Sequence, residues 1–431
     1  MQPAARPVFY DLSEIFLNGG ARVKIYGVVR VIAEIGLELQ RSGKEVRFVV
    51  FSPGHSAFFE VHPCFDRLHD DDAVDLAIPT AAVPKKLRRV FHRHRWLRRM
   101  AYLLCAPLIN ARNRRRWDAA GMTLPRADMT TGLLVTVARP KFIVDYLGVL
   151  QQTDTRLLAM LHDMIPLHED PAGSAYQNFR GDNHAILRAA AGIVANSAFT
   201  RKEILRFVAS GLLPAPARIT TIGLAQECRH SSALAARPAP PGAYLLCVGS
   251  AVGRKNLETV FDALNLIRQG GSTEKFSIVI AGPTGRRTRD HLAQPAYDAI
   301  RAQLIFFDKP SHAELLQLYR QACAVIVPTR IEGWGLPAGE ALWLGTPVIC
   351  ADIPALHEAS DELALYFDPE SPAQLAVLIT RIVGDQDFRH QLAMRICASR
   401  SRLRSWAQVA DELFDEAQAY ADTRNDALLP A

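Results

Sequence analysis

The chain has 431 residues, 49% hydrophobic and 22% charged, a length that suggests two or three domains with a core each. This balance excludes a disordered or fibrous chain, and seven scattered cysteines without a Cys-x-x-Cys pair argue against a zinc knuckle or a disulfide framework. The net charge of +6 points to anionic partners (phosphate, nucleic acid or lipid head groups) without choosing among them.

The opening MQPAARPVFYDLSE has no basic-then-apolar leader, and no run approaches the roughly 20 apolar residues of a membrane span. The expectation is a cytoplasmic protein. Asn18, Gly19 and Gly20, with Gly27, flank a loop expected between the first strand and the first helix, which apolar periodicity sets at 28–43. VRFVVF (46–51) reads as a buried strand and HDDDAV (69–74) as a solvated turn. Segment 84–117 then carries twelve Lys and Arg and no acid, interleaved with Phe91, Trp96 and Tyr102. A solvated helix face, a nucleic-acid surface and an interfacial helix on anionic lipid all fit that pattern. The lipid reading is favoured, because no nucleic-acid module accompanies the basic residues.

Buried strands follow at 132–138, 156–162 and 191–197, and SSALAARPAPPGA (231–243) reads as an interdomain linker. Beyond it, strands at 244–250, 276–282, 304–308 and 323–329 alternate with helices at 256–271 and 312–322. Strands buried on both faces and alternating with helices predict an α/β protein with two parallel sheets. The first domain is set at 1–235 and the second at 243–405. The last helix, 405–422, is free to pack on either, including back on the first.

Two stretches carry chemistry. In TRIEGWGLPAGEALWLGTPV (329–348), Glu332 follows a strand at its carboxyl end, where ligands of open α/β sheets bind. Gly333, Trp334, Gly335 and Leu336 come next, Pro337 suits the first position of a new helix, and Glu340 falls in or just after its first turn. A helix start offers free N–H groups and a positive dipole end to phosphate, and glycines allow close backbone approach. The plainer reading, a surface Glu332 and a dipole-capping Glu340, stands level with this on spacing alone. The second stretch, VGSAVGRKN (248–256), also joins a strand to a helix and sets Arg254 and Lys255 at the helix start, a pattern that taken alone suits a phosphate clamp and a solvated charge pair equally.

Residues 243–370 resemble the nucleotide-sugar-binding domain of retaining glycosyltransferases of family 4, which have the GT-B fold. The resemblance rests on YLLCVGSAVGRKNLETVFDAL, IVIAGP, LQLYRQACAVIVPTRIEGWGLPAGEALWLGTPVICADIPALHEA and LALYFDPES. Weaker matches extend it through FYDLSEI, YGVVRVIAEI, LHDMIPL, ANSAFTRKEI and ITTIGL. It implies two Rossmann-like domains facing across a cleft. Glu332 would contact the donor sugar's hydroxyls with the backbone of Gly333 to Leu336, Glu340 the ribose, and Lys255 with Arg254 the diphosphate. Ser250 stands where many relatives carry arginine, and Arg254 is taken as its replacement.

LHDMIPLHED (161–170) sets His162 and Asp163 at a strand end, where the resemblance implies a histidine near the reacting oxygen. The plain alternative is a structural histidine; His168 and Glu169 read as surface residues. The loop ending at Gly27 is implied to close on phosphate or acceptor. No metal or other cofactor is expected, since no Asp-x-Asp motif stands in a suitable place and Arg254, Lys255 and the helix start can stabilise the leaving diphosphate.

YGVVRVIAEI and HDMIPL are most similar to bacterial mannosyl- and rhamnosyltransferases of polysaccharide assembly. GDP-mannose is therefore the expected donor; UDP-glucose, another UDP-hexose or GDP-rhamnose stays open. The expected acceptor is a glycan or lipid-linked saccharide, reached at the inner face of the cell membrane through 84–117, with no nucleic-acid partner. A soluble acceptor, or an inactive scaffold in a glycan-assembly complex, are the alternatives.

Overall fold

The computed structural model describes residues 6–19, 27–85, 95–249 and 252–422. Strands β1 (Val8–Asp11), β2 (Val46–Ser52), β3 (Ala57–Glu60), β4 (Thr131–Thr136), β5 (Asp154–Leu161), β6 (Gly192–Ala195) and β7 (Ile219–Thr221) form one sheet in the order β3-β2-β1-β4-β5-β6-β7. A second sheet, ordered β10-β9-β8-β11-β12-β13, comprises β8 (Tyr244–Val248), β9 (Ser277–Ala281), β10 (Leu304–Phe307), β11 (Ala324–Val327), β12 (Val348–Ala351) and β13 (Leu365–Phe367). β1, β6, β11 and β12 are buried at every position, because helices cover both sheet faces and no polar alternation is needed.

The second sheet is wholly parallel. The first has an antiparallel edge that the sequence reading did not anticipate: β3 folds back on β2 after Pro53 and Gly54. Phe51 and Phe58 meet there at 5.2 Å and both pack on Tyr146, so the hairpin is set by aromatic burial. The predicted loop after the first strand also differs. Asn18 and Gly19 close a short helix, Ser13–Gly19, and only then does the chain reach Gly27 and the helix Val28–Arg41; Gly20 lies outside the described residues.

HDDDAV is a joint between lobes rather than a solvated turn. Asp70 accepts the Ser232 N–H at 2.7 Å and hydroxyls of Ser231 and Ser232, while Asp72 accepts the His312 N–H at 3.1 Å. The Pro-rich stretch 231–243 is thus pinned at its start, and Arg237 pairs with Glu314 at 2.8 Å near its middle. The last helix, Trp406–Asp422, packs on the first sheet. Trp406, Val409, Ala410, Leu413, Phe414, Ala417 and Tyr420 repeat at helical spacing and join the first core. Gly192 allows this: a Cβ there would lie 2.3 Å from the Tyr420 ring. Trp334 also belongs to the first core, although its chain segment belongs to the second sheet.

Candidate functional site

The turn between β8 and the helix Leu257–Gln269 is held by Asn256 of the motif and by the segment that follows β11. Asn256 adopts φ 58°, a left-handed conformation that Asn tolerates. Its buried amide donates to the carbonyls of Pro328 and Pro369 at 2.9 and 2.8 Å and accepts the Thr259 hydroxyl at 2.7 Å. The Arg254 carbonyl accepts the Arg330 N–H at 2.9 Å and the Thr329 hydroxyl at 3.0 Å. Arg254 and Lys255 therefore sit in the turn, just before the helix, at the end of β11.

Both cations reach Glu332. Lys255 Nζ pairs with one carboxylate oxygen, and Arg254 Nη1 lies 3.4 Å from the other. Burial pushes the Glu332 carboxyl up, but Lys255 and Arg254 outweigh it and hold the group below the usual carboxylate range. Asp163 faces the same group: its electrostatic neighbours include His162, Arg254 and Glu332, and burial raises its carboxyl. Asp163 Oδ1 also accepts the Ile165 N–H at 3.0 Å, which shapes the turn after β5. Ser250, the expected departure, lies outside the described residues.

Gly333 also lets this loop meet the other lobe: a Cβ would stand 1.9 Å from the His162 carbonyl oxygen. Thr200 Oγ1 lies 3.3 Å from that oxygen and 3.4 Å from the Gly333 carbonyl. Trp334 turns into the first lobe over Gly223, where a Cβ would stand 3.0 Å from the ring. Gly335 caps the next helix at φ 111°, with Leu356 where a Cβ would fall. Leu336, not Pro337, is the first residue of the helix Leu336–Trp343; it packs against the first core. Glu340 is the fifth, past the first turn.

Glu340 is not part of the Glu332 group. Among the described residues it shares no hydrogen bond or ion pair with Lys255, Arg254 or Glu332. Arg30 Nη1 reaches one of its oxygens at 2.5 Å and the Tyr319 hydroxyl the other at 2.6 Å. Gly27 caps the helix that carries Arg30, and its carbonyl accepts the Arg30 N–H at 3.0 Å. Arg30 also lies 3.6 Å from Glu34, which in turn meets His69 at 2.9 Å and Arg229 at 3.5 Å. His312 closes this interlobe group, its ring N–H donating to the Arg229 carbonyl at 2.8 Å; burial foremost pushes its imidazole down to about 4.

His162 is buried, with Nε2 donating to the Val137 carbonyl at 2.6 Å. Burial, ahead of all other influences, lowers its imidazole and keeps it neutral near pH 7. His168, expected at the surface, is exposed there and pairs with Glu203 at 2.5 Å beside Arg206. No three His, Cys, Asp or Glu cluster in a metal-binding arrangement among the described residues. No described helix is long and apolar enough to cross a membrane.

Residues 236–396, which span this loop, the cationic turn and both carboxylates, match the family model "Glycosyl transferases group 1". These residues form a group 1 glycosyl transferase domain. D-inositol 3-phosphate glycosyltransferase of Thermomonospora curvata is 30% identical over 195 residues, 43% of this chain and 45% of that protein. O-antigen chain mannosyltransferase B of Escherichia coli is 27% identical over 233 residues, 52% of this chain and 59% of that protein. The chain thus spans less than two thirds of these relatives. Across the fold, the Anabaena protein Alr3699/HepE, solved with UDP-glucose, superposes with a TM-score of 0.62 at 13% identity, over 96% of this chain and 99% of that one. Two facing Rossmann-like sheets make the group 1 domain and its companion lobe a GT-B fold.

Three contributors around the group 1 domain escape sequence reading. Arg30 stands 310 residues from Glu340 and is joined to it only by folding. Tyr319 reads as a core aromatic of a helix. Glu358 caps the first lobe's helix Ala198–Ala209, accepting the N–H groups of Ala198 and Phe199 at 2.6 and 2.7 Å. A serine followed by a helical pattern at 197 signals the cap position, but nothing local signals a carboxylate from another lobe.

Proposed function

We propose that this chain is a retaining glycosyltransferase that moves a hexose, mannose from GDP-mannose in first place, onto a hydroxyl of a lipid-linked glycan. The observation that carries the reading is the convergence of Lys255, Arg254 and Glu332 at a strand end and helix start, with Asp163 beside them and the His162 carbonyl against Gly333. Without donor, cations and carboxylate neutralise one another. A nucleotide-sugar entering there would take the cations with its diphosphate and the carboxylate with its sugar hydroxyls, replacing one ion pair by two complementary contacts. Negative charge grows on the departing phosphate as the sugar–oxygen bond breaks, and Lys255 and Arg254 stabilise it. The acceptor oxygen bonds to the anomeric carbon on the same face, and its proton passes to the departing phosphate oxygen. No metal or cofactor enters this scheme. Glu340 would hold the ribose only after yielding its contact with Arg30.

The mannosyltransferase name of one relative supports the sugar, and its O-antigen role supports a glycan acceptor. The Anabaena neighbour's UDP-glucose keeps a UDP-hexose as the second reading of the donor. Calorimetric titration of the parent with GDP-mannose, GDP-rhamnose, UDP-glucose and UDP-galactose tests both. Binding of GDP-mannose alone is the expected result, and binding of none would remove the proposal.

Contact with anionic lipid is part of this reading. Residues 86–94 of the basic segment lie outside those described, but the helix Arg95–Ala119 continues it. Met100, Leu104 and Leu108 follow one another at four-residue spacing and stand 48, 67 and 73% exposed, with Arg112 and Arg115 exposed one to two turns on. Such a face suits insertion at a head-group boundary, with each nearby cation adding about 1 kcal/mol. The parent should float with phosphatidylglycerol vesicles, and the double variant L104E/L108E should stay behind. Absence of the parent from the floating fraction would remove the membrane role.

A further inference from the structure

Arg330 lies two residues before Glu332 and has no place in the scheme above, yet it is the most heavily engaged side chain beside the cationic turn. Its Nη1 donates to the Gly253 carbonyl at 2.8 Å and to Glu258 at 2.6 Å. Its Nε and Nη2 form a fork on the two oxygens of Glu370, at 2.5 and 3.3 Å. Its backbone N–H holds the Arg254 carbonyl at 2.9 Å. Glu258 meanwhile accepts the Gly253 N–H on both oxygens at 3.0 Å. The Gly253 residue is therefore gripped at its N–H by Glu258 and at its carbonyl by Arg330, while Glu258 and Arg330 grip each other.

The grip matters because Gly253, at φ 82°, has the freest backbone of the turn that carries Arg254 and Lys255. It also ties three strand ends together: the turn follows β8, Arg330 follows β11 and Glu370 follows β13. Lysine could not reproduce this, having one point charge where the planar fork serves Glu258, Glu370 and a carbonyl at once. Arg330 has a second effect. It keeps Glu258 occupied, and without it that carboxylate is left one turn from Arg254 and Lys255, as a competitor for the cations.

We infer that Arg330, clamped between Glu258 and Glu370, is a positioning residue that holds the Gly253–Lys255 turn so that Lys255 and Arg254 face a nucleoside diphosphate. This rests on the proposed donor site. It goes beyond that site by naming the residue, itself off the ligand, that sets phosphate affinity.

The test is calorimetric titration of GDP, GMP, UDP and UMP into the parent, R330A, R330K, E370Q and K255A, with the Tm of each. R330A should weaken the diphosphate that binds the parent by roughly ten-fold, the scale of one misplaced charge-assisted contact. The matching monophosphate should change by less than about two-fold, because base and ribose contacts lie elsewhere. R330K should fall between R330A and parent. E370Q, which alters only the exposed side of the clamp, should weaken the diphosphate less than R330A does and leave Tm near the parent's. Parent-like diphosphate binding by R330A, alongside loss in K255A, overturns the positioning role and leaves the donor site standing. Equal loss of mono- and diphosphate with a fallen Tm also overturns it, since Arg330 would then only support the fold. Parent-like binding by K255A removes the donor site, and the positioning role with it.

Discussion

Glu332→Gln should retain the fold and lose turnover, with kcat reduced roughly 10²- to 10³-fold, the range found when one preorganised electrostatic contact is removed from a reacting centre. The substitution keeps the shape and removes the charge that Lys255 and Arg254 now hold ionised. Two effects then coincide. The donor sugar loses a charged acceptor for its hydroxyls, and positive character developing at the anomeric carbon loses its nearby anion. The fold should survive, because the two cations left behind are partly exposed, at 26 and 42% for the Lys255 and Arg254 side chains, and water can take them. The measurement is steady-state transfer from the donor identified by titration, with Tm as control. Parent-level kcat would sink the assignment and favour a binding scaffold.

Gly333→Ala should be nearly as damaging for a wholly steric reason. The added methyl would lie 1.9 Å from the His162 carbonyl oxygen, 3.0 Å from its carbon and 3.1 Å from the Asp163 Cβ. Two of these are backbone atoms at the end of β5 and cannot rotate away. The loop must retreat by more than an ångström, which drags Glu332 from Asp163 and lifts Trp334 from its seat on Gly223. Overpacking of this kind costs about 1–3 kcal/mol or more, and a shift of that size at a reacting centre costs roughly 10² in rate. A fall in Tm together with a fall in kcat is expected. A variant with unchanged Tm and turnover would mean that the two lobes do not meet at Gly333 in solution.

Strands such as 244–248 and 324–327 were legible because continuous apolar runs between helical patterns admit few other arrangements. The short strands β3, β7, β12 and β13 escape that signal. Of these, β3 departs furthest from the βαβ rhythm, since aromatic pairing with β2 decides its direction. The Glu332, Arg254 and Lys255 group was legible because each residue sits beside a strand end whose sheet fixes its position. Glu340 shows where that logic ends. Its spacing from Glu332 is local, but its partner Arg30 comes from the opposite lobe, and no pattern along the chain predicts which residue will face it. The same holds for HDDDAV, where acidic composition suggests solvent and the fold supplies His312 and the serines after 230 as partners.

Trp334 belongs by chain to one lobe and by packing to the other, and the terminal helix returns to the first lobe after the second is complete. A chimera that joins the front of one such protein to the back of another would therefore bring an indole into a foreign socket and a foreign helix under Gly192. Exchanging donor preference between relatives should succeed by grafting single loops at the rim, while whole-lobe swaps should yield chains that fail to close.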